Sequence, residues 1–507
     1  MLLHDLVTAT DAAASTSSRL AKIEALAALL RGLGPEEIAP AVGLLLAKPR
    51  QGRLGIGWRS LSSLEVAHDA ASHLSIADVD AALTRLASTE GAGSVATRRA
   101  ELEALASAAT AEEWDFLARV MMGELRTGAL EGVLLDAIAK AAGRAAPTVR
   151  RAAMLSGDLG ETAVIALTAT PEDLDAVGLV VGRPVLPMLA STAASVPDAL
   201  GIAGEASVEY KLDGARIQVH RRGDDLGVYT RNLADITHRV PEIVEVVRGF
   251  PGGDLILDGE TLALDEDGGP RPFQDTMSRF GSESASELAL KPWFFDILHA
   301  GGRDLVDEPL TARLLELERV AGEWRMPGIV TSDPVAAEEL SRAALAAGHE
   351  GVLVKGVDST YTAGRRGKSW IKVKPVLTYD LVVLGVEWGS GRRSGMLSNL
   401  HLGALDPAGE FGPPGGFVMV GKTFKGLTDE LLRWQTAHFP TIETHRSEYA
   451  VHVRPETVVE IAIDGVQRST RYPGGVALRF ARVKGYRPDK SPAEADTIQT
   501  LRALLRG

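Results

Sequence analysis

Through its first third the chain places apolar residues at helical spacing; beyond that, apolar and polar positions begin to alternate. Ser15-Thr16-Ser17-Ser18 supplies N-caps ahead of a periodic run over 19–33, and the same spacing predicts helices over 79–87, 100–109, 112–122 and 130–142. Residues 1–180 therefore read as an all-α unit, closed by the prolines of Gly182-Arg183-Pro184-Val185-Leu186-Pro187, which stop a helix. Residues 181–376 mix the two periods and read as an α+β unit. Strands are predicted over 206–212, 216–221, 227–230, 255–264, 293–298, 351–355 and 369–374, with helices over 310–320 and 335–347. In residues 377–507 the pattern predicts strands over 381–388, 397–404, 416–420, 450–453 and 458–463, and a helix over 429–437. Short strands around one helix fit a small closed β-barrel such as an OB-fold.

Composition narrows the class. With 507 residues, 45% hydrophobic and 24% charged, the chain has material for roughly three globular domains. It has no cysteine, which excludes disulfides, a catalytic thiol and a Cys-ligated zinc. The opening Met-Leu-Leu-His-Asp has no basic region or long apolar core, and no run of about eighteen apolar residues occurs. A cytoplasmic protein without membrane spans is the expectation. A formal charge of −13 argues against indiscriminate polyanion binding, yet local patches such as Gly391-Arg392-Arg393 and Gly364-Arg365-Arg366-Gly367-Lys368 could still meet phosphates. Taken singly, each patch reads better as a solvated loop. The acidic runs 265–267 and 282–287 suggest no role.

The candidate chemistry centres on Ser207-Val208-Glu209-Tyr210-Lys211-Leu212-Asp213-Gly214-Ala215-Arg216, two strand segments hinged at Asp213-Gly214. Glu209, Lys211 and Asp213 share parity and so one sheet face. Further on, Arg231 ends a strand with a guanidinium suited to phosphate. Asp258-Gly259-Glu260 puts a carboxylate after a glycine, and Phe295 lies in an aromatic strand. Glu350 precedes Gly351-Val352-Leu353-Val354-Lys355, and Lys372 and Lys374 share a strand face. Each has a plain structural reading: a surface ion pair, turn carboxylates, a core ring, a solvated strand face. Their common order is what ordinary sequence does not explain. Gly123-Glu124-Leu125-Arg126-Thr127-Gly128-Ala129-Leu130-Glu131-Gly132 reads as a phosphate clamp or as a plain helix-helix connection.

In that order, Lys211-Leu212-Asp213-Gly214-Ala215-Arg216, Asp258-Gly259-Glu260, Glu350-Gly351 through Lys355 and Lys372-Val373-Lys374 resemble the motifs of the covalent nucleotidyltransferases, a superfamily of DNA ligases, RNA ligases and capping enzymes. The whole chain resembles the three-domain ATP-dependent DNA ligases, the bacterial ligase B type in particular. Gly421-Lys422-Thr423-Phe424-Lys425-Gly426 and Leu478 through Lys490 are similar to the barrel motifs of those enzymes. Asn232 and Ala481 depart from the pattern, where glycine and proline are common, without removing a reactive group.

The resemblance implies a helical DNA-binding domain, an adenylation domain and an OB-fold domain. It implies that Lys211 takes AMP from ATP, and that AMP passes to a 5′-phosphate at a nick in duplex DNA and is displaced by the 3′-hydroxyl. Glu209 would contact the adenine edge and Phe295 stack on it; Arg216 and Glu260 would hold ribose or metal. Arg231, Arg366, Lys372 and Lys374 would face phosphates, and Glu260 and Glu350 would bind Mg2+, with Mn2+ as a substitute. Nearby cations would favour the neutral amine of Lys211. Arg482, Arg487, Asp489 and Lys490 would orient pyrophosphate when the barrel closes, swinging on a hinge near 375–380. A monomer encircling the duplex is implied too. An RNA ligase or capping-type guanylyltransferase is the alternative; the zinc module of NAD-dependent ligases needs cysteines this chain lacks.

Overall fold

A computed structural model describes residues 1–505 apart from 53, 65, 92, 126–130, 267, 282–288, 363–365, 390–392 and 448. Helices fill the chain up to Asp175: Leu3–Ala14, Arg19–Arg31, Pro35–Leu45, Trp58–Ser62, Ile76–Ser88, Ser94–Ala108, Ala111–Met122, Glu131–Ala142, Ala146–Ser156, Leu159–Thr168 and Pro171–Asp175. Side-chain caps start several of them. Ser18 accepts from the Ala21 amide, and Ser75, Thr110 and Thr170 form capping boxes with Asp78, Glu113 and Asp173. Their apolar stripes, among them Leu3, Leu26, Leu30, Phe116, Leu134 and Ile138, share one core. The helix read as starting at 100 begins at Ser94, because its first turn is exposed (Val95 keeps 82% of its surface) and carries no apolar period.

The middle of the chain builds two sheets. Its strands are β1 (Leu189–Thr192), β2 (Ala206–Lys211), β3 (Ala215–Arg222), β4 (Asp225–Thr230), β5 (Leu255–Ala263), β6 (Leu290–Ala300), β7 (Arg303–Asp304), β8 (Gly328–Thr331), β9 (Gly351–Gly356) and β10 (Arg366–Val373). One five-stranded sheet has the order β1-β10-β9-β2-β8, the other β4-β3-β5-β6-β7. Leu212, Ile256, Phe295, Tyr361 and Trp370 form a buried cluster that joins them. The first sheet turns Val208, Val352, Val354, Ile371 and Val373 toward helices Val196–Ala203 and Pro334–Ala346. Strand alternation then leaves Ser207, Glu209 and Lys211 on its other face.

The last part adds β11 (Leu377–Trp388), β12 (Leu397–Asp406), β13 (Gly416–Thr423), β14 (Glu443–Arg446), β15 (Ala450–Val453), β16 (Val458–Ile463), β17 (Gly465–Arg468), β18 (Val476–Arg479) and β19 (Arg482–Tyr486). A seven-stranded antiparallel sheet runs β13-β12-β11-β15-β14, with β16 pairing both β11 and β19; β17 and β18 make a separate hairpin. The sequence pattern foresees only β11, β12, β13, β15 and β16. The strands it misses run only four or five residues, too short for alternation to register, as in Glu443-Thr444-His445-Arg446. Among the described residues no helix is long and apolar enough to cross a membrane.

Candidate active site

Register on the first sheet arranges the motif residues as a grid. Ser207 stands opposite Lys355 and Lys355 opposite Trp370; Glu209 stands opposite Leu353 and Leu353 opposite Lys372; Lys211 stands opposite Gly351. A Cβ on Gly351 would lie 2.3 Å from the Val373 carbonyl and 3.1 Å from Lys374 Cα, and its φ of +142° also favours glycine. The row of Lys211 and Lys374 is therefore open in its middle. Gly214 serves the turn similarly: a Cβ there would meet the Thr261 carbonyl at 2.5 Å, so only glycine lets the loop pass over β5.

Lys211 is half-buried. It donates to Glu350 in a short hydrogen bond, while the Glu350 amide donates to the Lys211 carbonyl at 2.9 Å. Burial pushes the Lys211 ammonium down, but Glu350, Glu260 and Asp213 outweigh it and hold the pKa above the usual lysine value. Among the protein's own groups the carboxylates dominate its surroundings. Glu260, opposite Arg216 on β5, is raised to about 7 by burial, against the pull of Lys211 and Arg216.

The second sheet supplies the rest. Arg216 grips Asp258 through two hydrogen bonds, at 2.9 and 2.6 Å, and donates to the Met188 carbonyl at 2.6 Å. The Tyr361 hydroxyl donates to Asp258 at 2.7 Å. The guanidinium of Arg216 stands 5.4 Å from the Phe295 ring centre. Glu209 is buried, accepts from Ser207 Oγ at 2.7 Å and has Lys355 Nζ 2.5 Å from its Oε2. Lys372 is half-buried on the same face. Arg231 is exposed and lines a shallow groove with Arg216 and Asp258, apart from the lysines. Arg366 opens β10, but its side chain is outside the described residues. Parts of the glycine-rich 123–132 stretch, of the two basic patches and of the acidic run 265–267, and all of 282–287, are outside them as well.

The last part of the chain closes the site. Lys374 pairs with Asp464 at 2.7 Å and, more loosely, with Glu350 at 3.8 Å. Arg479 clamps Asp213 at 2.6 and 3.1 Å and lies 5.1 Å from the Phe273 ring centre. Between these contacts is a cavity of about 400 Å3 bordered by Asp213, Glu350, Lys374, Asp464 and Arg479. Arg487 and Lys490 are elsewhere: both pair with Asp380, and Arg487 also pairs with Asp489. The sequence reading thus missed Ser207, Lys355, Asp464 and Arg479. Parity with Glu209 and Gly351 offered a signal for the first two, and the motif beginning at Leu478 one for Arg479; Asp464 offered none.

Comparison with known proteins decides the family. The sequence matches the family models described as "ATP dependent DNA ligase domain" over 187–374, "DNA ligase N terminus" over 62–139 and "ATP dependent DNA ligase C terminal region" over 393–490. It is 67% identical over 506 residues to a "Probable DNA ligase" of Pseudarthrobacter chlorophenolicus, covering 100% of both chains. A "Probable DNA ligase" of Saccharopolyspora erythraea is 57% identical, covering 99% of this chain and 98% of that one. The chain belongs to the ATP-dependent DNA ligases. This ligase also shares its fold with the solved structure described as "Pmar-Lig_PreS3", at 21% identity and a TM-score of 0.63, over 95% of this chain and 99% of that one. The three-domain ligase architecture is thereby established, and the RNA ligase or capping alternative is not favoured.

Proposed function

We propose that Lys211 is the residue through which this ligase carries AMP. The amine attacks the α-phosphorus of ATP, its bond to phosphorus forms, and the bond to pyrophosphate breaks. An oxygen of the 5′-phosphate at a nick then displaces Lys211, and the 3′-hydroxyl displaces AMP to join the strands. The observation that carries this reading is Lys211 itself: a half-buried lysine held by Glu350, with Lys372 and Lys374 on the same sheet face. In-line displacement at phosphorus depends on positioning and on charge neutralisation, and Lys372, Lys374, Arg231 and Arg366 are the cations we assign to phosphates. Glu209 reads the base, Phe295 stacks on it, and Arg216 holds the ribose.

Glu260 and Glu350 are the carboxylates we assign to a divalent cation. Hard carboxylate oxygens suit Mg2+ or Mn2+, and no group of three or more His, Cys, Asp or Glu among the described residues competes with them. Such an ion would neutralise phosphate charge and draw both carboxylates away from Lys211. In the finer reading, residues 1–180 grip the duplex, 181–376 adenylate and 377–507 form the OB-fold that turns about the 375–380 connection. A cytoplasmic monomer encircling nicked DNA completes it.

The test is incubation of AMP-free protein with Mg2+ and ATP labelled on the α-phosphate, followed by a denaturing gel. A labelled band that Lys211→Ala abolishes, and that nicked DNA discharges with sealing, is the expected outcome. A Lys211→Ala protein that still seals nicks from ATP alone overturns the assignment.

A further inference from the structure

The segment that leads from the helical part into the first sheet is held from both sides. Leu186 donates its amide to the Met154 carbonyl of helix Ala146–Ser156 at 3.0 Å. A Cβ on Gly157, which ends that helix at a φ of +70°, would lie 2.3 Å from the Pro184 carbonyl, so only glycine lets the two backbones meet. On its other side the segment lies along β3. The Gly182 amide donates to His220 Nδ1 at 3.0 Å, and the Tyr229 hydroxyl to the Gly182 carbonyl at 2.9 Å. Gln218 grips Val185 twice, accepting from its amide at 2.8 Å and donating to its carbonyl at 3.2 Å. With Nδ1 as the acceptor, His220 carries its proton on Nε2 and donates to Gln218 Oε1 at 2.8 Å. Burial pushes the His220 ring down to about 3, which keeps it neutral in that role.

We infer that residues 182–188 are a strap that fixes the helical part on the two sheets as one body, with Gln218 and His220 as its positioning residues. A linker between units that move independently is solvated and crossed by few contacts. Here Met154 and Leu155 of the helical part share a buried cluster with Val185 and Met188 of the strap and with Leu212, Ile256 and Trp370 of the sheets. Arg151 adds a two-pronged ion pair with Asp307, at 2.7 and 2.8 Å. Swinging the helical part away would open that cluster to water and strip Gly182 and Val185 of their partners together. A fixed joint presents whatever the helical part holds at a set place relative to Lys211, with no search for alignment. That last consequence rests on residues 1–180 gripping the duplex; the joint itself does not.

The chain has no cysteine, so two introduced thiols report a single distance by spin-label spectroscopy. Full-length protein carrying Ser107→Cys and Arg303→Cys is measured alone, with ATP and Mg2+, and with nicked duplex. One narrow distance distribution, the same in all three, is the expected result. Adding Gln218→Leu should widen it, and nick sealing should fall about tenfold or more while lysyl-AMP formation holds. A distribution that is broad or split without the strap substitution, or that moves when duplex is added, overturns the inference. So does a Gln218→Leu protein whose distribution stays narrow. If Gln218→Leu does not fold, Gly157→Ala serves for the same comparison, since its methyl group meets the Pro184 carbonyl. Sealing that holds while the distribution widens leaves the joint standing and defeats the grip of residues 1–180 on the duplex.

Discussion

Glu260→Gln should make this ligase more stable at pH 8 while removing its activity. Glu260 lies on β5 opposite Arg216 and Trp293, where burial raises its pKa from 4.5 to about 7. The folded protein therefore holds that proton more tightly than the unfolded chain. The stability this confers is complete below pH 4.5 and is lost as pH rises through about 7. A displacement of that size corresponds to roughly 3 kcal/mol, and the partial exposure of the side chain reduces it to roughly 1–2 kcal/mol. Glutamine keeps the shape without the charge. The comparison is urea unfolding of both proteins in chelator across pH 4.5 to 8, followed by tryptophan fluorescence. The variant should gain on wild type as pH rises and meet it near pH 4.5, while lysyl-AMP formation falls by at least tenfold. Equal stability at pH 8, or an advantage that grows toward acid, would refute the reasoning.

Other substitutions probe separate parts of the design. Gly351→Ala puts a methyl group 2.3 Å from the Val373 carbonyl at a φ of +142°, so β9 must shift under Lys211. Self-adenylation should drop by at least tenfold at a stability loss of roughly 1–3 kcal/mol, and a variant with normal labelling would count against the open row. Asp296→Asn strips the charge partner from Arg313, both being 0% exposed, and should destabilise the protein by roughly 3–5 kcal/mol; an unchanged unfolding midpoint would contradict this. Asp380→Ala frees Arg487 and Lys490 from the carboxylate that pairs both. Single-turnover lysyl-AMP formation should then quicken about threefold or more, whereas a slower first step would mean that Asp380 supports those cations.

Local periodicity carried the helical part and the alternating strands, since a buried stripe every turn or every second residue is visible in one dimension. Glu260, Glu350, Lys372 and Lys374 were legible through their order after the Ser207–Arg216 hinge and the family motifs they resemble. What one dimension hides is which strand faces which. Lys355 shares parity with Gly351, yet its pairing with Glu209 exists only because β9 lies beside β2. Neither the pairing of Asp464 with Lys374 nor that of Arg479 with Asp213 shows locally, for the partners are far apart in sequence. Arg487 and Lys490, expected to orient pyrophosphate on closure, pair here with Asp380 of their own unit, more than a hundred positions away in sequence.

Lys374 has one ammonium and two claimants, Asp464 at 2.7 Å and Glu350 at 3.8 Å. If Lys374 serves a phosphate as proposed, a triphosphate drawing on that ammonium would compete with Asp464 for it. Linked equilibria are reciprocal: whatever factor that contact takes from nucleotide affinity, nucleotide takes from the contact. On that assignment nucleotide supply would act as a timing variable, setting how long an uncharged chain keeps the contact between Lys374 and Asp464.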